Sequence, residues 1–458
     1  MKIGFGRGDI TPRGGKVSLC GQYHLRVTET VLDPLMAYAM VIESEDERTV
    51  FVAADTLQPY AFWTTYLCEA LQTVLPGLKE DQLIISATHI HTGPGPRLKM
   101  TGEEREPDGV ISLESCFRIA MDGAIEAVRQ ALVSLTEARL EFGISRIQTG
   151  MQRMTVFSNG QAEMYGDIHR SDFRCMFGRD GGPVYILYAY RTGSDELIGI
   201  VADVPCPAQC DEMAEVITAD YWGVVREKIW AEFGPNTGIL PLCRAAGDLS
   251  PHDLIDVMPA ERDYGLFAGR QIAEKLGERI FRGILETRHR TVCGIDSDVG
   301  YIHRMHVIDL PMWRVSDSAY DWAREILRAY PHEENRTTAL AEAFIKRYLQ
   351  SDPAVCHARV HTVLTGTIMV MTFPFELYAA YADRIRLSLP MVNLLDVQLC
   401  YENLGYLPTE EAASRGWNSY SANLLDGACG PEGGDELVKA CIEIGQQMWG
   451  SVNAKNYI

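Results

Sequence analysis

The sequence predicts an α/β protein: mixed β-sheets flanked by helices, with a helical elaboration. Three observations carry this. Apolar runs of strand length without alternation, such as Leu83-Ile84-Ile85, read as strands covered on both faces. They are interleaved with stretches at helical spacing, of which residues 112–135 are the clearest, with Phe117, Ala120, Ala124, Ala127, Val128 and Leu132 near that spacing. Residues 139–190 are rich in strand formers around the hairpin dipeptide Asn159-Gly160.

In chain order, residues 36–44 and 48–54 read as a hairpin around the charged turn 43–48. Asp55 closes the second strand and leads to a helix at 60–75, and the strand of Leu83 follows. After the 112–135 helix and the β-rich stretch come a strand at 197–204, a helix at about 213–233, a strand near 239–242 and a helix at 264–284. The pattern weakens over 285–365, where helices near 316–329 and 338–349 look like an insertion, taken as 295–365. Strands at 367–373 and 394–399 follow, then a Gly-rich loop at 427–434 and a helix at 435–449. One domain over 1–458 is the simplest organisation.

Composition narrows the function classes. The chain has 458 residues, 47% of them hydrophobic and 23% charged, as in ordinary globular proteins. A net charge of −20 disfavours nucleic acid and anionic membrane surfaces as partners. No apolar run reaches the length of a membrane span. The start, Met1-Lys2-Ile3-Gly4-Phe5-Gly6-Arg7, has no apolar export segment, so the twelve scattered cysteines are expected as reduced thiols in a cytoplasmic protein. The partner expected is a small-molecule substrate. Oligomeric state stays open, a homo-oligomer included.

Four apolar strands end in ligand-type or reactive residues: Asp55; His89 with His91; Cys206; and Glu376. A fifth stretch ends in Gly247-Asp248-Leu249-Ser250. Each alone reads more often as a turn former. Several on one sheet edge would make a crevice with metal-ligand chemistry. Two residues apart on an extended chain, His89 and His91 would point to the same side, ahead of the turn at Gly93-Pro94-Gly95-Pro96. That arrangement suits a metal or a proton-transfer site. A hydrogen-bonded core histidine beside a surface one is the alternative.

Seven motifs in order match one family: GRGDITP from Gly6; DPLMAYAMVIES followed by VFVAAD; SATHIHTGPGP; TADYWG; AGDLSP; PFE; and YLPTEEA. With these the chain resembles the amino-terminal catalytic domain of the neutral ceramidase family, as a divergent member. The resemblance spans nearly the whole chain without the immunoglobulin-like domain that follows in the family.

What the resemblance implies is a zinc-dependent amide hydrolase. It places zinc on His89 and Glu376, and His91, Asp248 and Ser250 in the catalytic set. Cys206 stands where the family has a second ligand histidine, and a thiolate is a good zinc ligand. Trp417 stands where the family has a ligand tyrosine. Tryptophan cannot ligate zinc, so either Tyr420 takes that role or the site has one protein ligand fewer. Arg153, Arg244, His169 and Trp417 are candidate substrate contacts. The reading is a metal-dependent hydrolase of a small soluble amide or ester. The alternatives are an isomerase or lyase acting on a sugar-like carbonyl, and an inactive ligand-binding member.

Overall fold

Two sheets organise the chain, the second bridging both edge strands of the first. The structure, a computed structural model, describes the chain apart from residues 23, 46, 96–107, 256–265, 296–299, 332–335, 351–354, 417–418 and 454–458. The first sheet is built from Lys2–Asp9 (β1), Met36–Glu43 (β2), Arg48–Ala54 (β3), Leu83–Ala87 (β4), Thr136–Ser145 (β5), Val184–Arg191 (β6), Leu197–Val204 (β7) and Gly238–Cys243 (β8). Its order is β8-β7-β6-β5-β1-β2-β3-β4, with the short strand Cys293–Ile295 beside β5. The outer pairs β3–β4 and β7–β8 are parallel and the remainder antiparallel. The mixture follows from the connections: tight turns within 36–54 and 184–204, and helical crossovers through Ala61–Leu71 (α1) and Tyr221–Phe233 (α3).

β1 carries glycine at every second position for a steric reason. A Cβ on Gly4, Gly6 or Gly8 would stand 2.0 Å from a backbone carbonyl oxygen of helix Leu113–Val133 (α2). The helix therefore lies directly on the strand, which only glycine permits.

The second sheet has Tyr301–Pro311 (β9), Val355–Thr365 (β10), Ile368–Thr372 (β11) and Asn393–Val397 (β12), in that order. The 295–365 stretch, expected as an elaboration, supplies β9 and β10, with Asp317–Ala329 (α5) and Arg336–Tyr348 (α6) between them. Leu266–Thr287 (α4) packs beside α3, and Ala379–Ser388 (α7) beside the terminal helix Pro431–Asn453 (α8). Bridges Ser86–Cys400 and Arg244–Val397 tie the two sheets together.

Two boundaries differ from expectation. The helix expected from 213 starts at Tyr221, because residues 214–219 are drawn elsewhere. Ile217 pairs with Val31, and Thr218 Oγ1 donates to Asp33 Oδ2. The last helix starts four residues early, at Pro431, and takes Gly433 and Gly434 into its first turn. A Cβ on Gly434 would stand 2.3 Å from the Tyr381 hydroxyl of α7, so this glycine serves packing rather than a loop. Among the described residues, no helix is long and apolar enough to cross a membrane.

Candidate active site

A cavity of about 690 Å³ opens at the seam of the two sheets, beyond the carboxyl end of β4. His89, His91, Glu212 and Glu376 all line it. β4 stops at Ala87, and His89 sits at φ +63°. The pair therefore does not project from an extended strand. A left-handed residue, tolerated more readily by histidine than by most, turns the backbone between them. The rings still meet, 5.0 Å apart and nearly perpendicular.

His89 Nδ1 lies 2.7 Å from the Leu57 carbonyl oxygen. A carbonyl only accepts, so Nδ1 carries the hydrogen and Nε2 keeps its lone pair. Nε2 faces Glu376 Oε2 at 3.4 Å and His91 Nε2 at 3.4 Å. On the other side, His91 Nδ1 is 3.8 Å from Glu212 Oε2. Glu212 Oε1 is 3.6 Å from His252 Nε2. The wall thus carries a run of carboxylate, imidazole, imidazole, carboxylate, with the His252 imidazole behind it.

Glu376 follows β11 through Phe373-Pro374-Phe375 and pairs with Tyr406 in a short parallel ladder. Burial alone would raise its carboxyl pKa. His89 beside it and the Tyr406 hydroxyl donating to it hold the value below the usual range. Asn403 Nδ2 donates to its other oxygen at 3.2 Å. His91 is pushed well down by burial, then by His89 and Arg26, so its imidazole is neutral. Arg153 stands behind the wall, donating to the Gly247 carbonyl at 2.7 Å and reaching the Tyr406 and Tyr165 hydroxyls at 3.4 Å.

The expected residues separate into those at the cavity and those behind it. His89, His91, Glu376 and Tyr420 line it. Ser250 is fully buried one layer back. Its Oγ accepts from the Tyr165 hydroxyl at 3.3 Å and from the His252 amide at 3.2 Å. Asp248 accepts from the Ala379 amide at the start of α7 and from Gln152, which makes it an anchor for backbone and side chain. Arg244 is spent on Asp396 at 3.0 Å and Asp203 at 3.6 Å, and His169 is exposed; neither lines the cavity. Trp417 lies outside the described residues.

Cys206 is not among the residues lining the cavity. Between Pro205 and Pro207 its thiol turns to the Pro207 carbonyl, and its own carbonyl accepts from the Tyr221 hydroxyl. Burial pushes the thiol far above its ordinary pKa. The trio expected to grip one cation, His89 with Cys206 and Glu376, is therefore not gathered. Among the described residues, no three His, Cys, Asp or Glu side chains are arranged to hold a metal ion.

Several cavity residues escaped the sequence reading. Glu212, on the cavity, and His252, behind it, lie in loops without periodicity, Glu212 six residues ahead of TADYWG and His252 directly after AGDLSP. Tyr165 sits at φ +53°, held by Gln209 Nε2 at 3.0 Å, and puts its hydroxyl between Ser250 and the cavity. Its only signal was the turn-forming Tyr165-Gly166-Asp167. Tyr406 lay in plain view at the head of YLPTEEA.

Comparisons with known proteins agree with this architecture. Residues 1–158 match the family described as neutral/alkaline non-lysosomal ceramidase, N-terminal. A neutral ceramidase from Pseudomonas aeruginosa is 24% identical over 169 residues, which is 34% of this chain and 24% of that relative. The sequence match thus spans about a quarter of the relative's length. Among solved structures, a ceramidase complexed with C2 superposes with a TM-score of 0.71 at 15% identity, covering 100% of this chain and 75% of that one. The neutral ceramidase of Pseudomonas aeruginosa gives 0.69 at 16% identity, covering 97% and 74%. At such identities the superpositions speak for the fold. The chain is therefore similar in sequence to the neutral, non-lysosomal ceramidases over residues 1–158, and over its whole length it has the fold of the solved ceramidase structures.

Proposed function

We propose that the protein is a hydrolase that cleaves an amide or ester bond of a small soluble substrate in this cavity, with one divalent cation as cofactor. The observation that carries the reading is the His89 imidazole. Its Nδ1 is spent on Leu57, and its Nε2 lone pair faces the Glu376 carboxylate at 3.4 Å. Two electron-pair donors face to face in a buried site repel unless a proton or a cation stands between them. An imidazole oriented by a backbone carbonyl, opposite a carboxylate, is a common metal-ligand arrangement, and zinc suits it.

The residues fit such a cation in part. His89 and Glu376 would hold it, and the Tyr420 hydroxyl on the same cavity offers a further oxygen. Cys206 is left out of the set. When bound, the cation would polarise a carbonyl and lower the pKa of a water molecule. His91 presents Nε2 to the same point and would carry a proton to the departing nitrogen or oxygen. Tyr165 accepts from Gln209 and Arg153 and rests with its one hydroxyl hydrogen on Ser250; that hydrogen would swing to the carbonyl oxygen as charge develops there. Ser250 then acts by orienting Tyr165. A cavity of about 690 Å³ suits a small molecule.

The test is a panel of soluble amides and esters incubated with the protein in ¹⁸O-labelled water, with the products read by mass spectrometry. Label in the released carboxylate is expected. A rearranged, unlabelled product would overturn the reading in favour of an isomerase.

A further inference from the structure

We infer that Glu212 and the Nδ1 atom of His91 form a subsite for a protonated primary amine on the substrate. The inference rests on the hydrolase reading only in that the amine would belong to the molecule being cleaved.

Among the described residues lining the cavity, Glu212 and Glu376 are the only carboxylates, and no lysine or arginine joins them. Glu376 is committed to His89, Asn403 and Tyr406. Glu212 is the anion left to meet a ligand. Its carboxylate is already oriented. Gln22 Nε2 donates to Oε2 at 3.2 Å. His252 Nε2 lies 3.6 Å from Oε1 and 3.2 Å from the Gln209 carbonyl oxygen. With two acceptors before it, that nitrogen carries hydrogen.

The second observation is independent of Glu212. His91 is only 8% exposed and lines the cavity, and its Nδ1 makes no hydrogen bond of ordinary length and angle, with the Gly21 backbone and Glu212 as its neighbours. With the ring hydrogen on Nε2, which lies 3.4 Å from His89 Nε2, Nδ1 is left an acceptor. Nδ1 and Glu212 Oε2 are 3.8 Å apart, too far to bond each other. One nitrogen can reach both at ordinary hydrogen-bond length.

Two converging acceptors and one negative charge are complementary to an ammonium group, which has three donors and no acceptor. They repel a carboxylate or a phosphate. Arg26, which feels the charge of Glu212, does not neutralise the subsite from within. It is 1% exposed and donates to the carbonyls of Cys20, His91 and Ala214, with Glu215 also in its field.

The test is calorimetric titration of the purified chain with 3-phenylpropylammonium and with its neutral N-acetyl derivative. Wild type is expected to bind the ammonium at least about tenfold more tightly, the scale of one charge-assisted hydrogen bond. Glu212→Gln, verified as folded by circular dichroism, should lose the preference, and Glu212→Lys should transfer it to 4-phenylbutyrate. Equal affinities in wild type, or a preference that survives in Glu212→Gln, overturn the subsite. Equal wild-type affinities decide the matter even if the variants do not fold. The two readings fail separately. A Glu212-dependent preference in a protein that hydrolyses no amide or ester keeps the subsite and sinks the hydrolase. Hydrolysis indifferent to a free amine does the reverse.

Discussion

Among the described residues, two pairs of buried histidines meet ring to ring, and they differ in what closes them. His89 and His91 meet through Nε2 atoms 3.4 Å apart; His303 Nε2 and His361 Nδ1 meet at 3.0 Å. The first pair runs into carboxylates at both ends, Glu376 and Glu212, and opens on a cavity. The second runs into a hydroxyl at one end only. His303 Nδ1 lies 2.9 Å from Thr49 Oγ1, which receives the Tyr301 hydroxyl at 2.6 Å. A hydroxyl both donates and accepts, so the His303 imidazole is satisfied on both nitrogens without outside help, while His361 Nε2 at the far end is buried without a partner among the described residues. A carboxylate only accepts, so the first pair is short of donors. That shortage is what would let the proposed site take up a cation or substrate, whereas the second pair joins β3, β9 and β10.

The widest separation between the regions should be seen in activity. His89→Ala is expected to lower kcat/KM by about 1,000-fold or more while leaving the melting temperature near wild type. His361→Gln should leave kcat/KM within about threefold, since a side chain remote from the cavity touches no reacting atom. A steady-state assay on any substrate identified by the labelled-water panel checks both. If both variants lose activity alike, the distinction fails.

His91→Gln should cost about 100-fold in kcat through loss of proton transfer, with KM little changed. An equal loss in His303→Gln would argue against a special role for the cavity pair.

Stability should show the converse ranking. Replacing His303 or His361 strands Thr49 or its neighbours, at a cost of about 1–3 kcal/mol in chemical denaturation. Acid should act through the same joint. Burial pushes His303 down to about 4 and His361 to about 3. Both lie below the unfolded value of about 6.5, so the unfolded chain binds these protons first. The stabilisation is complete above pH 6.5 and is lost progressively as pH falls toward 4. Melting temperatures from pH 7 to 4 should fall in wild type and fall less steeply in a His303→Gln, His361→Gln double variant. Parallel curves would contradict the assignment.

How much of this could be read beforehand follows the same division. β2, β3, β4, β7 and α2 were legible because their apolar periods are strong. His89, His91 and Glu376 were legible because each closes such a strand within a recognisable motif. Cys206 was equally legible as a strand end, but two flanking prolines turn its thiol inward, which spacing alone does not reveal. Glu212 and His252 come from loops whose course is set by distant contacts, such as Ile217 with Val31. No local pattern marks them. The His303–His361 joint depends on the register between β9 and β10, which places Met305 opposite His361, and that register is a tertiary property.

The central claim is that one cation is held at the point where His89 faces Glu376, without Cys206. Elemental analysis of purified wild type, His89→Ala, Glu376→Gln and Cys206→Ala tests it most directly. Close to one equivalent of zinc is expected in wild type and in Cys206→Ala, and little in the other two. Zinc lost in Cys206→Ala, or equally low in wild type and His89→Ala, would contradict the account.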